Sequence, residues 1–90
     1  MLNHIVLVRR AQPEGEKLVT RSQAKRLTAQ FEKFEHVVLD FEGVDEIGQA
    51  FADEVFRVFQ NAHPGTLLAP TNMTEAVEDM VKRARAALGN

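Results

Sequence analysis

The amino-acid sequence predicts a small α/β domain, in which a mixed sheet of about four strands is covered by about three helices in the order ββαβαβα. The run 36–41 (HVVLDF) is almost continuously apolar, as in a central strand that is buried on both faces. On either side of it, apolar residues recur at spacings of three and four, the pattern of one helix face. A chain of 90 residues has room for one core, so residues 1–90 are expected to form a single domain.

The first part of the chain is predicted to form two short strands and a helix. Residues 5–8 (IVLV) have the length and β-branched character of a strand, and 17–19 (KLV) return as a second one after a turn at 12–15. Thr20 begins a capping box, because its hydroxyl can accept from the amide of Gln23 while the Gln23 side chain reaches back. The apolar stripe of the helix that follows consists of Ala24, Leu27, Phe31 and Phe34.

The second part is predicted to form two helices with a short strand between them. The first helix spans about 49–62 and is stopped by 63–65 (HPG), since proline disfavours helix before it. Residues 66–69 (TLLA) form the strand. Asn72 is expected to cap the last helix, and Gly89 is expected to end it.

Composition and charge argue against several classes of function. The chain has no cysteine, which excludes disulfides, thiol nucleophiles and thiolate metal sites. Its net charge of −2 lacks the basic excess of a nucleic-acid-binding protein, and the basic clusters near Arg21 and Lys82 are expected to be solvated helix faces. No apolar run approaches the roughly 18–20 residues of a membrane span, and the N-terminus does not have the pattern of a signal peptide. We therefore expect a cytoplasmic protein without nucleic-acid or membrane partners.

The residues that could carry chemistry do not form a recognisable catalytic set. His4, His36 and His63 lie on three different elements, so no metal site is predicted. Asp40 ends the central strand beside a loop and a helix start, where α/β proteins often place functional sites. The simpler interpretation is that Asp40 accepts hydrogen bonds from loop amides and fixes the turn. No nucleophile–base pair and no phosphate-binding glycine motif is present, so neither enzymatic activity nor a cofactor is predicted.

The segment 39–54 (LDFEGVDEIGQAFADE) resembles the signature of STAS domains, the fold of bacterial anti-sigma-factor antagonists. Together with LVTRSQAKRL at 18–27 and HP at 63–64, it is more closely similar to a STAS-like family of unknown function, to which GQAFADE is fairly specific. The resemblance covers about residues 16–85. It implies a regulatory protein–protein interaction module of bacterial signalling, because members of that family are often fused to, or encoded beside, a histidine-kinase-like ATPase.

The chain departs from typical antagonists in the loop before the central helix. There, antagonists carry a serine or threonine that a partner kinase phosphorylates, whereas this chain has Gln49 and Ala50. Neither side chain can accept phosphate, so the resemblance implies partner binding without the usual charge switch. Thr20 and Ser22 are hydroxyls elsewhere that helix capping explains, and whether either is phosphorylated is left open.

Two functional surfaces remain as alternatives. The polar face of the helix 49–62, with the loop before it, is the predicted protein-binding surface, made of Gly48, Gln49, Asp53, Glu54 and Arg57. The alternative is a site for a small anionic ligand or nucleotide, since amides at a helix N-terminus favour an anion. Its candidate residues are Asp40, Gly43, Gly48 and Gln49.

The remaining expectations concern the apolar residues. The apolar face of the helix 49–62 is expected to be core rather than a partner groove, and it consists of Phe51, Val55, Phe56 and Phe59. The strand 5–8 is a candidate free edge at which two copies of the chain could pair, so a homodimer is left open.

Overall fold

In the computed structural model, which describes residues 3–12 and 15–88, the chain forms three strands and three helices in the order βαβαβα. The predicted turn residues Pro13 and Glu14 and the predicted helix end Gly89 lie outside the described residues. The strands are β1 (Asn3–Leu7), β2 (His36–Asp40) and β3 (Leu67–Thr71). The helices are α1 (Arg21–Thr28), α2 (49–62) and α3 (Glu75–Ala86), and a 3₁₀ turn, Val8–Ala11, follows β1.

The sheet is parallel throughout, with β2 between β1 and β3, so the prediction of a mixed, four-stranded sheet was wrong. The segment 17–19 makes a single bridge, between Leu18 and Ile47, instead of a strand. The reason is local: the N–H groups of Val19 and Thr20 both donate to the side-chain oxygen of Gln23, at 2.7 and 2.9 Å. These amides are used to begin α1 and do not extend a strand ladder.

All three helices cover the same face of the sheet. Consecutive parallel strands joined by right-handed crossovers place their helices on one side, and the burial of alternate strand residues agrees with this. Leu39 and Leu68 point under the helices and are buried, whereas Ile5 and Leu67 point to the other face and are 66% and 60% exposed. One face of the sheet is therefore open among the described residues.

Helix α2 lies in the middle of the helical layer and contacts both α1 and α3. The prediction that its aromatic stripe is core is confirmed, because Phe51, Val55 and Phe56 are fully buried and Phe59 is 6% exposed. The helix is not uniform: α-helical turns at Gln49–Asp53 and Gln60–Ala62 flank a π-helical segment, Glu54–Phe59.

The helix caps agree with the sequence at α1 and differ from it at α3. The predicted capping box of Thr20 and Gln23 is present. At α3 the N-cap is Thr74, whose hydroxyl accepts from the amide of Val77 at 3.1 Å. The prediction of Asn72 as the cap was wrong, because Asn72 adopts a left-handed backbone conformation (φ 54°) two residues earlier. Its side-chain amide donates to the carboxylate of Asp40 instead.

Candidate functional site

The start of α2 is held against the segment that precedes α1. Gly48, the N-cap of α2, donates its N–H to the carbonyl of Leu18 at 2.8 Å. A Cβ atom at Gly48 would lie 2.9 Å from the Cα of Val19, closer than backbone atoms tolerate. Only glycine allows this approach. The loop 41–48 is therefore fixed at Gly48, its last residue before α2.

Gln49 and Asp53 form a ridge, here called the α2 ridge, between two grooves. The groove on the α1 side has a volume of about 420 Å³ and is also lined by Arg21 and Ala50. The groove on the α3 side is smaller, about 100 Å³, and is also lined by Arg83 and its neighbours on that helix. Both residues line both grooves, so they share one surface spot at i and i+4, and its role in protein binding stays a prediction. Gln49 is exposed.

Asp53 is the centre of an ion-pair network that joins α1 to α2. Its carboxylate accepts from Arg57 through both oxygens, with Nη2–Oδ2 at 2.7 Å, and from Arg21 Nη1 at 2.8 Å. The hydrogen bonds from Arg57, reinforced by Arg21, lower the pKa of Asp53 to about 2, against the cost of desolvation. The carboxylate is therefore ionised at neutral pH and occupied by two guanidinium groups.

Glu54 and Arg57 are less available than the sequence suggested. Glu54 was placed on the exposed face of the helix, but it is only 7% exposed, and Arg21 Nη1 lies 3.4 Å from its Oε1. Arg57 is half-buried and committed to Asp53. Sequence reasoning missed the contribution of Arg21 and Arg83 to this surface, having treated both as solvated charges. In the sequence, the only signal for these contacts was the presence of complementary charges on separate predicted helices.

Asp40 is used in the turn after β2. Its Oδ1 accepts from the side-chain amide of Asn72 at 3.0 Å and from the backbone N–H of Glu42 at 2.9 Å, and these bonds lower its pKa. Because Leu39 points under the helices, Asp40 points to the open face of the sheet. Gly48 and Gln49 begin a helix on the opposite face, so the structure does not bring Asp40 together with them. The hydrogen-bonding role that the sequence suggested for Asp40 is present.

Gly43 sits in the turn between β2 and α2 with a left-handed backbone (φ 82°). A Cβ there would lie 2.7 Å from Cδ of Arg9, whose side chain packs over the turn. A shallow cavity of about 320 Å³ lies beside it and is lined by Gln12, Lys17, Gly43, Asp45 and Glu46. Of the predicted anion-site residues, Gly43 alone lines this cavity.

The histidines occupy separate places in the structure. His4 stacks on Phe34 with ring centroids 4.3 Å apart, and His63 stacks on Phe59 at 4.2 Å. Within residues 3–12 and 15–88, no group of three or more histidine, aspartate or glutamate side chains is placed to hold a metal ion. Over the same residues, no helix has the length and apolar character needed to cross a membrane.

Comparison with known proteins gives one family. The model of the STAS-like domain of unknown function (DUF4325) matches residues 23–78, more than half of the chain. The matched region begins within α1, includes β2, the loop at 41–48, α2 and β3, and ends within α3. No curated protein and no solved structure gives a significant match.

Proposed function

This chain belongs to the STAS-like family of unknown function, and on that premise we propose that it is a non-catalytic regulatory module of bacterial signalling in the cytoplasm. Its partner is a protein of the histidine-kinase-like ATPase class. The observation that carries the proposal is the α2 ridge, which exposes Gln49 between two open grooves at the start of α2. Both grooves are shallow clefts of the kind that another protein surface can cover.

The side chains of the ridge favour a partner that binds through shape complementarity and through charges that phosphorylation does not alter. Gln49 offers a neutral amide that can both donate and accept. Arg83 places positive charge on its α3 side, whereas the guanidinium of Arg21 on the α1 side is paired with Asp53 and Glu54. Since Ala50 carries no hydroxyl, docking on this surface does not depend on phosphorylation of the loop. The expected partner surface is therefore polar, with an acidic group that reaches Arg83.

A substitution on the ridge tests the proposal and leaves every residue of the ion-pair network in place. Gln49→Arg adds charge and bulk at an exposed side chain, so we expect little change in stability, about 0.5 kcal/mol at most. Binding to the ATPase partner should weaken at least about tenfold, because the larger arginine side chain obstructs close contact at the ridge and removes the neutral amide of Gln49. Asn61→Arg is the matched control, because it makes the same change at an exposed position near the other end of α2.

The experiment begins with co-purification of a tagged copy from the native host and identification of the recovered proteins by mass spectrometry. The recovered ATPase is then purified, and its affinity for wild type, Gln49→Arg and Asn61→Arg is measured by calorimetry, with circular dichroism to compare folding. Equal weakening by both variants, or by neither, would show that the docking surface lies elsewhere. Recovery of no ATPase, combined with saturable binding of inorganic phosphate, would replace the docking module with the anion-binding alternative.

A further inference from the structure

The outer edge of β3 is closed by the protein itself. Leu67 donates its N–H to the carbonyl of Glu35 at 2.7 Å, so its backbone faces β2. Because the backbone groups of successive strand residues point to opposite sides, the groups of Leu68 and Pro70 face outward. Proline has no N–H to offer.

Arg85 occupies one of the two carbonyls that face outward at that edge. Its Nη2 donates to the oxygen of Leu68 at 2.8 Å, while its guanidinium lies over the ring of Phe56, 5.2 Å from the centroid. At the outer edge of β3, Pro70 therefore has no N–H to donate, and the carbonyl of Leu68 already accepts a hydrogen bond from Arg85. Both features are ways in which proteins prevent strand pairing.

The outer edge of β1 has no such protection. The pairing of Leu67 with Glu35 shows that the odd-numbered residues of β2 face β3, so Val38 faces β1. Val38 is in register with Ile5 of β1. In a parallel pair, a residue whose backbone groups face the neighbouring strand bonds to the two residues that flank its partner, and the partner's own N–H and C=O point away. The backbone groups of Ile5 therefore point away from β2. Asn3, Ile5 and Leu7 therefore turn their backbone groups outward. Within the described residues nothing pairs with those of Asn3 and Ile5, whereas Leu7 is the N-cap of the 3₁₀ turn Val8–Ala11 and its carbonyl begins that turn.

We infer that this edge binds a second copy of the chain, with the two β1 strands antiparallel and Ile5 opposite Ile5 of the second copy. In this register the N–H and C=O of Ile5 pair with those of Ile5 in the second copy, and Asn3 lies opposite Leu7. The interface is self-complementary, as a two-fold dimer requires. This inference does not rest on the proposed function, because β1 is separate from the α2 ridge.

Charge and shape favour a second copy in this orientation. Arg9 and Arg10 follow β1 at one end only, so antiparallel pairing keeps the two basic pairs at opposite ends of the interface. An open groove of about 400 Å³ runs beside the strand and is lined by His4, Ile5, Val6, Leu7, Arg10 and Gln30. The two-fold axis stands perpendicular to the sheet, so both helical layers remain on one face.

The dimer should be weak and should form only at high concentration. A pair of five-residue strands buries less than the roughly 1,200–2,000 Å² of a standard stable interface. The side chains that meet at the centre are those of Ile5, which is 66% exposed in the single chain. Aliphatic pairs directly across two strands add stability to a sheet.

Amide hydrogen exchange on the full chain tests the inference directly. Between about 10 µM and about 1 mM protein, exchange of the Ile5 and Leu7 amides should slow at least about tenfold as dimer forms. The amide of Leu68 also faces outward, at the closed edge, and its exchange rate should not change. Sedimentation over the same range should report a shift from monomer to dimer.

Two matched variants separate the edge from the open face of the sheet. Ile5→Pro removes one outward donor without removing a bond to β2, and it should abolish the dimer. Leu67→Lys removes a comparably exposed aliphatic residue at the other edge of the same face, and it should leave the dimer intact. Circular dichroism checks that each variant is folded, and Ile5→Lys replaces Ile5→Pro if the proline variant does not fold.

Three results would overturn the inference. A chain that is monomeric at about 1 mM does not use this edge for itself. A dimer that survives the Ile5 variants and dissociates with Leu67→Lys is formed by the open sheet face. An edge whose Ile5 and Leu7 amides become protected only when the ATPase partner is added belongs to that partner and not to a second copy.

Discussion

Replacing Asp53 by asparagine should reveal how much the ion-pair network stabilises the start of α2. The fall in the pKa of Asp53 from 3.8 to about 2 corresponds to about 2.5 kcal/mol of interaction with its surroundings. The Asp53 side chain is 18% exposed, but that of Arg21 is 49% exposed and screened by water. We therefore expect Asp53→Asn to lower the free energy of unfolding at pH 7 by about 1–2 kcal/mol.

The pH dependence distinguishes the lost charge from a packing defect. The folded-state pKa lies below the unfolded one, so the stabilisation is complete above about pH 4 and disappears as the pH falls through about 2. The difference between wild type and Asp53→Asn should be halved at about pH 3. Urea denaturation, followed by circular dichroism at pH 7, 5 and 3, measures it at each pH.

The control for this experiment is a carboxylate in a weak surface pair. Glu78 lies 4.0 Å from Lys82 on the exposed side of α3, so Glu78→Gln should change stability by less than about 0.5 kcal/mol at every pH. A loss in Asp53→Asn that is the same at pH 7 and pH 3 would refute the electrostatic account. So would a loss no larger than that of the control.

Two further predictions concern the packing around α2. Gly48→Ala should destabilise the fold by about 1–3 kcal/mol, because the added Cβ would press on the backbone of Val19. Gly65→Ala is the control and should have little effect, because an added Cβ there meets nothing within 4 Å. Thermal unfolding compares the two variants. Phe51→Ala should cost about 3–5 kcal/mol, because the ring is fully buried, and a variant that kept its melting temperature would show that the ring is not part of the core.

The sequence predicted the parts of the fold that depend on local pattern. The central strand, the capping box at Thr20 and the buried stripe of α2 all follow from hydrophobic period and cap chemistry. The fourth strand was wrong because Val19 and Thr20 use their amides in the cap of α1, and a strand-like run of three residues does not reveal that competition. Asn72 was mistaken for a cap because its left-handed conformation and its bond to Asp40 depend on the meeting of two strand ends.

The candidate surface was predicted only where it lies on one helix. The i, i+4 spacing of Gln49 and Asp53 placed them together, but Glu54 contacts Arg21, which is 33 residues away in the chain. Periodicity also assumes an α-helix, whereas Glu54–Phe59 is π-helical. The exposure of a polar residue on such a helix is set by what the neighbouring helix places over it, and one helix pattern contains no information about that.

The segment 17–21 explains why the start of α2 is a fixed surface. It supplies the carbonyl of Leu18 to Gly48, the backbone of Val19 against the same glycine, and the guanidinium of Arg21 to Asp53. A surface held by three such contacts keeps one shape, and its loop has no hydroxyl with which to change charge. The loop therefore offers no phosphorylation site through which binding could change. If this surface docks onto an ATPase, as we propose, the signal that controls docking should act on the partner.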